Sequence, residues 1–380
     1  MSNIAISSAT ITPAKKSSPA RSLDVASHWQ LMWRKFKRHH MAILGLSLLG
    51  IFLVISLFPE FLSPYGPHTR DLRYAQGSPM GIHFFDSDGE FHARPFVYGW
   101  KNKRHPVTLR KITILDESKR YPLRFFVRGE PYKLFGAFDS NIHLFGVHGS
   151  KIHLFGTDQI GRDVFSRTLY ATRTSLSIGF IGVILAFILG LTFGGISGYM
   201  GGMIDLVIMR MVEFIRSIPT LPLWLALAAA LPRDWSAMTV YIAITMILSL
   251  IGWTHLARRV RGKLLALREE DFVLAARLSG CSHGRIIGRH MLPSFMSYLI
   301  VDLTISFPYI ILAETALSFL GLGMREPAVS WGVLLFSAQN VRSLVLMPWL
   351  LIPGLFVVVA VLAFNFVGDG ARDAADPYAK

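Results

Sequence analysis

The feature that most constrains this chain is a series of long stretches almost free of charge, the longest running from 174 to 204 without a charged side chain. A helix needs about 20 mostly apolar residues to cross the hydrocarbon core of a bilayer. The pattern predicts a first membrane helix over 41–61, then others over 174–200, 236–257, 294–320 and 343–368. A further one, over 205–231, opens with Asp205, Arg210, Glu213 and Arg216 and then meets Pro219 and Pro222. It is expected to be kinked and partly lined by protein. The sum is six spans, an all-α polytopic membrane protein.

Composition agrees. Of 380 residues 52% are hydrophobic and only 17% charged, against roughly 25% charged in soluble domains. The net charge of +15 raises nucleic acid as a partner, but no nucleic-acid module signature is present. In a membrane chain such charge marks the cytoplasmic face and anionic lipid headgroups. Cys281 is the only cysteine, which excludes an intrachain disulfide and a thiolate metal cluster.

Residues 1–26, rich in Ser, Ala, Thr and Pro, read as a disordered cytoplasmic tail. Over 27–40 the apolar residues Trp29, Met32, Trp33 and Phe36 recur at helical spacing, with Arg34, Lys35, Lys37 and Arg38 on the other faces. This predicts a basic interfacial helix. A signal peptide fits less well, since no small-residue cleavage site follows. With the basic tail inside, six spans return the C-terminal tail, 371–380, to the same side. The segment 258–293, dense in arginine, then faces the cytoplasm, as the positive-inside rule requires.

The polar segment 62–160 falls outside, and its β-branched and aromatic stretches at 107–115 and 123–127 predict a small β-rich extracytoplasmic insert. It carries a short repeat, Ile142-His143-Leu144-Phe145-Gly146 and Ile152-His153-Leu154-Phe155-Gly156, suggesting a hairpin or packed corner. His143, His148 and His153 are candidate metal ligands, though without nearby Cys or carboxylate support.

Two patterns lie in the helical part. Gly190, Gly194, Gly198 and Gly202 recur every fourth residue, a small-residue stripe that lets another helix approach backbone to backbone. In the cytoplasmic segment, Asp271 to Leu278 reads as a short helix, Gly280 as its left-handed exit and Ser282 as the cap of a second short helix before Pro293. A short helix of this kind suits docking into a groove on another protein, or resting on the membrane.

Ala275-Ala276, Gly280, Ile286-Ile287, His290 and Leu292-Pro293 resemble the coupling motif of binding-protein-dependent ABC importer permeases. The family's acidic residue before the paired alanines is Leu274 here, with Glu269, Glu270 and Asp271 as the acids nearby. Three more stretches are similar to the C-type, second permease subunit of the dipeptide/oligopeptide family: His153 to Asp158 through Gly161-Arg162-Asp163, Ser166-Arg167 and Arg173 to Leu176; Glu314 to Gly323; and Phe366 through Gly368-Asp369, Arg372-Asp373 and Asp376-Pro377. The likeness covers 29–65 loosely and 151–378 closely, and leaves 66–150 outside it.

The resemblance implies the type I ABC importer permease fold over 172–370. It implies a heterodimer with a paralogous permease, two cytoplasmic ATPases that bind ATP and Mg, and an extracytoplasmic solute-binding protein, in a bacterial inner membrane. It assigns ATPase coupling to Asp271, Ala275, Ala276, Gly280, Ile286, His290 and Pro293, and no catalysis or bound cofactor to this chain. No phosphate-binding G-x-x-x-x-G-K-[ST] loop is present. Asp302 and Glu314, ionisable groups within a span, are pathway or structural candidates. They also define the competing reading, an ion-coupled secondary transporter, although no repeat relates the two halves. A membrane-anchored enzyme with its site in the insert lacks any nucleophile–base pairing or metal-ligand spacing.

Overall fold

The computed structural model describes residues 28–104 and 111–375. The tail expected over 1–26, the 107–110 part of the first strand stretch and Asp376-Pro377 lie outside the described residues. The helices are α1 (His28–Arg38), α2 (His40–Leu57), α3 (Pro59–Leu62), α4 (Val164–Met200), α5 (Gly202–Ser217), α6 (Thr220–Ala229), α7 (Ala237–Leu267), α8 (Asp271–Leu278), α9 (His283–Arg285), α10 (Leu292–Ser294), α11 (Met296–Phe319), α12 (Trp331–Phe336), α13 (Val341–Leu346) and α14 (Ile352–Ala375). Between α3 and α4 lie strands β1 (His83–Phe85), β2 (Phe91–Arg104), β3 (Lys111–Leu134) and β4 (Phe138–Val147).

Among the described residues five helices are long and apolar enough to cross a membrane, six if α5 and α6 count as one broken span. That break is sharper than a proline kink: the two helices meet at 83°. Ile218, held extended at φ −92° and ψ 131°, precedes Pro219, and a residue before proline is pushed out of the helical region by the ring. The last span differs for the same reason. The expected helix over 343–368 is instead α13, a non-helical Met347 (φ −141°, ψ 62°) before Pro348, and then one apolar helical stretch from Pro348 to Ala375. The second span starts earlier than its uncharged run, at Val164, because the Asp163 carboxylate accepts from the Ser166 amide and caps the helix.

The bundle is centred on α4, which packs along α7, while α11 lies against both α4 and α14. Its largest core joins Ile178, Trp224, Ile244, Leu248, Ile310 and Leu317. At the N-terminus, α1 does not offer its whole apolar face to lipid. Met32 and Phe36 are buried with Ala42 and Ala374, while Trp33 stays half exposed.

The four strands form an antiparallel sheet in order β1-β2-β3-β4. The long β3 pairs with β2 through its first half and with β4 through its second, where Leu123 faces Val147 and Leu134 faces Phe138. Val97, Leu123 and Ile152 form its core. The two copies of the short repeat do not pair as a hairpin. The first lies in β4, and the second lies outside any strand, with Ile152 buried.

Candidate functional site

The segment from α8 to α10 joins the ends of α7 and α11. Val273 and Ala276 are buried against Tyr199, Val260, Leu264, Ile286 and Met291. Asp271, Leu274, Ala275 and Leu278 point the other way, and Leu278 is 90% exposed. Adjacent residues on a helix sit about 100° apart, so the paired alanines divide: Ala276 faces the core and Ala275 faces outward. Of the three nearby acids, Asp271 occupies the outward face one turn before Ala275.

Gly280 closes the helix. Its φ is +73°, the Gly280 amide donates to the Arg277 carbonyl, and the Cys281 amide reaches back to the Ala276 carbonyl at 3.1 Å, a Schellman-type ending. Ser282 stands at the start of α9 but its hydroxyl makes no capping bond, and the chain passes at once into a π-helical turn over Ile286–Met291. Ile286 is buried, His290 half-buried and Pro293 exposed at the start of α10. A cavity of about 520 Å³ lined by Tyr199, Arg268, Arg277, Cys281 and His283 adjoins this segment.

The glycine stripe is three residues long, not four. A Cβ on Gly190 would meet Leu256 at 2.8 Å, one on Gly194 the Ala257 carbonyl oxygen at 2.6 Å, and one on Gly198 the Arg261 carbonyl oxygen at 2.8 Å. These three form the α4–α7 seam. Gly202 has open space around it and a φ of +58°; with Gly201 at φ +68° it turns the chain from α4 into α5. Spacing alone misled there, because the helix ends at Met200.

Asp302 is paired within the chain, its carboxylate 2.5 Å from an Arg259 guanidinium nitrogen. Glu314 is fully buried, and its partners among the described residues are hydroxyls: Ser318 and Ser330 each donate to Oε1 at 2.8 Å, and the Ser175 hydroxyl lies 3.4 Å from Oε2. These hydroxyls tie α4, α11 and the start of α12 together.

Two charged arrangements have no counterpart in the sequence reading. Asp205 accepts from Arg261 at 2.5 Å and from the Ser197 hydroxyl at 2.5 Å, fastening α5 to α7 and α4. An acid in the first turn of a membrane helix signals the need for such a cation. The other joins the turn before α4 to the loop after α11. Arg162 and Arg167 both reach Asp158, at 2.6 and 2.9 Å, and both reach Glu326, at 2.6 and 2.8 Å. The Arg162 and Arg167 guanidinium groups hold the Glu326 carboxyl down at about 2, against burial that opposes them. This box walls one side of a cavity of about 920 Å³ shared with Gln159, Met324, Phe336 and Asn340. Asp158, Arg162 and Arg167 belong to a motif already singled out; Glu326, in a glycine- and proline-rich loop, carries no spacing signal.

The three histidines of the insert are not brought together. The ring nitrogens of His143 face the carbonyl oxygens of Ser63 and Glu130, at 2.5 and 2.9 Å. His153 contacts Asp163 at 2.8 Å, and His148 is exposed. Groups of metal-ligating type converge instead at Asp86, Glu90 and His92, where Arg120 already contacts the Asp86 carboxylate.

Apolar helices of spanning length packed through a glycine seam, with one span broken, define a polytopic helical membrane protein. The family model for the binding-protein-dependent transport system inner membrane component matches residues 166–380, and that for the N-terminal TM domain of oligopeptide transport permease C matches 27–79. The chain belongs to the family of binding-protein-dependent transport system inner membrane components. It is 38% identical over 223 residues to the dipeptide transport system permease protein DppC of Bacillus subtilis (strain 168), covering 58% of this chain and 67% of that protein. Against DppC of Alkalihalophilus pseudofirmus it is 42% identical over 59% of this chain and 71% of the relative. Among solved structures, an inward-facing form of the MetNI methionine ABC transporter overlaps 53% of this chain and 93% of its own with a TM-score of 0.41 at 20% identity.

Proposed function

We propose that this chain is the second, C-type permease subunit of an ATP-driven importer of dipeptides or oligopeptides, with the type I permease fold. It forms half of the translocation pathway beside a paralogous permease. Two ATPases, which carry ATP and Mg, dock on the cytoplasmic segment 258–293, and a solute-binding protein delivers cargo from the other side. Both termini are cytoplasmic, and the insert over 62–160 is extracytoplasmic. Asp271, Ala275 and Gly280 meet the ATPase, while Ala276 and Ile286 hold the docking helix to the bundle. His290 and Pro293 shape its return to α11. Asp302 and Glu314 serve as structural partners.

The observation that carries this reading is the outward face of α8, where Leu278 is left almost wholly exposed beside Ala275 on a helix fixed from behind by Val273 and Ala276. An apolar side chain held in that way is suited to a protein groove. The test is ATP hydrolysis and peptide uptake by the complex purified with the proteins encoded beside this chain, comparing the parent with Leu278→Asp. The expected outcome is release or uncoupling of the ATPases with unchanged thermal stability of the permease. A chain that purifies without ATPases and moves solute in a proton gradient without ATP would refute the proposal and turn attention to Asp302 and Glu314.

A further inference from the structure

The β3–β4 hairpin holds two phenylalanines, Phe126 within β3 and Phe135 in the turn, in an arrangement that neither strand pairing nor solute transport requires. Phe126 and Phe135 both sit at positive φ, +54° and +53°, a region that bulky residues rarely enter and that strains the backbone. Neither ring is buried as compensation: Phe126 is 67% exposed, Phe135 54% and the neighbouring Phe138 68%. The turn around Phe135 is otherwise regular, the Gly136 amide donating to the Lys133 carbonyl and the Ala137 amide to the Leu134 carbonyl.

What these rings approach is the end of a membrane helix. Phe135 lies edge-on to Phe58, 5.5 Å between centroids, and Phe58 is the residue that closes α2. Phe126 lies 6.2 Å from Phe61 on α3. Just before them, Leu53, Val54 and Leu57 of α2 are exposed, as the lipid-facing side of a spanning helix is. The hairpin is fixed at this level. Glu130 accepts from the Gly66 amide at 3.1 Å and the Thr69 hydroxyl at 2.6 Å, and His143 contacts the Ser63 carbonyl. Arg124, Arg128 and Lys133 of the same strand stand exposed, Lys133 3.8 Å from the exposed Asp139 carboxylate.

We infer that the β3–β4 hairpin is a membrane anchor that seats Phe126, Phe135 and Phe138 in the headgroup region of the bilayer at the end of α2. Aromatic rings gather at that depth because one part of the environment is apolar and the other wet, and exposed arginine and lysine on the same strand suit anionic headgroups. The continuity from the lipid-facing α2 through Phe58 to the hairpin rings favours lipid over a protein partner. Strain at two phenylalanine positions is then the means of turning those rings toward the bilayer. The inference rests on α2 being a membrane helix and is independent of any ATPase, so it stands or falls apart from the importer reading.

The test is nitroxide accessibility in the whole complex in nanodiscs containing anionic lipid, with Cys281→Ser as the parent and spin labels at Phe126→Cys, Phe138→Cys and, back along β3, Lys119→Cys. Labels at 126 and 138 are expected to relax several times more strongly with oxygen than with a water-soluble nickel chelate, and the label at 119 to show the reverse. Equal nickel access at all three positions would overturn the anchor. Protection of 126 and 138 that arises only when the solute-binding protein is added would also overturn it, assigning the patch to that protein. Should a labelled variant fail to assemble, Phe138→Trp keeps the aromatic ring. Its added emission is expected to be quenched by brominated lipid, and unquenched emission counts against the anchor.

Discussion

Replacing Gly194 by alanine should destabilise the permease, although alanine is the better helix former. The added Cβ would lie 2.6 Å from the Ala257 carbonyl oxygen, 2.9 Å from the Ala257 Cα and 2.9 Å from the Val260 Cβ. Two of those atoms are backbone and have no rotamer to change, so α4 and α7 must part. A gap of about 0.5–1 Å forfeits a quarter to a half of each neighbouring dispersion contact, and overpacking of this kind costs about 1–3 kcal/mol. Against that stands a helix-propensity gain of about 1 kcal/mol, leaving a net loss of up to about 2 kcal/mol. At about 2–4 °C per kcal/mol for a domain of this size, Tm falls by up to several degrees. Gly262→Ala, on α7 with nothing within 4 Å of its added Cβ, isolates the propensity term and should leave Tm unchanged or slightly raised. The assay is thermal unfolding of the detergent-solubilised complex followed by size-exclusion chromatography. A Gly194→Ala protein as stable as the Gly262→Ala one would refute the close-packed seam.

Further expectations follow from the charged sites. Asp205→Arg should lower stability, and so should Arg261→Asp; the two together should recover part of the loss, measured as a double-mutant cycle. Glu326 has its carboxyl lowered from 4.5 to about 2 by Arg162 and Arg167. Its contribution to stability is therefore fully present above about pH 4.5 and is lost as the pH falls toward 2. A Tm–pH profile of the parent should drop across that window more steeply than that of Glu326→Gln. Glu314→Gln keeps an acceptor for Ser318 and Ser330 and should preserve uptake, whereas Glu314→Ala leaves a cavity and orphaned hydroxyls and should cost about 2–4 kcal/mol. Loss of transport in a stable Glu314→Gln protein would instead assign that carboxyl a role in the pathway.

How much of this was legible in the sequence depends on how far apart the interacting residues lie. The spans were readable because bilayer thickness imposes a length that 174–204 satisfies without reference to any other part of the chain. The turn at Gly280 was readable for the same reason, since a left-handed exit is a property of a few consecutive residues. Glycine periodicity announced the α4–α7 seam but not where it stops, because Gly201 and Gly202 serve a turn while preserving the spacing. The partners of Asp302 and Asp205 lie on α7, distant in sequence, and no local pattern selects Arg259 for one and Arg261 for the other. Which alanine of the pair faces outward depends on where Val273 finds its core.

These contacts bear on how movement at the docking segment would reach the rest of the bundle under the proposed reading. Val273 and Ala276 share a core with Leu264 at the end of α7 and Tyr199 at the end of α4. From there the glycine seam joins α7 to α4 with backbone contacts that do not slide without a steric clash. Asp205 adds α5 through Arg261 and Ser197. A pull on α8 would thus be transmitted to α4, α5 and α7 as one body, and the extended residue at Ile218, where the broken span turns by 83°, is the joint through which it reaches α6, whose Trp224 packs in the same core as Ile178 of α4 and Ile244 of α7. Pro219→Ala would remove the ring that keeps Ile218 out of the helical region. It should allow α5 to continue toward α6 and stiffen that joint. The expected result is reduced uptake at undiminished ATP hydrolysis; loss of both together would mean that the break serves folding rather than motion.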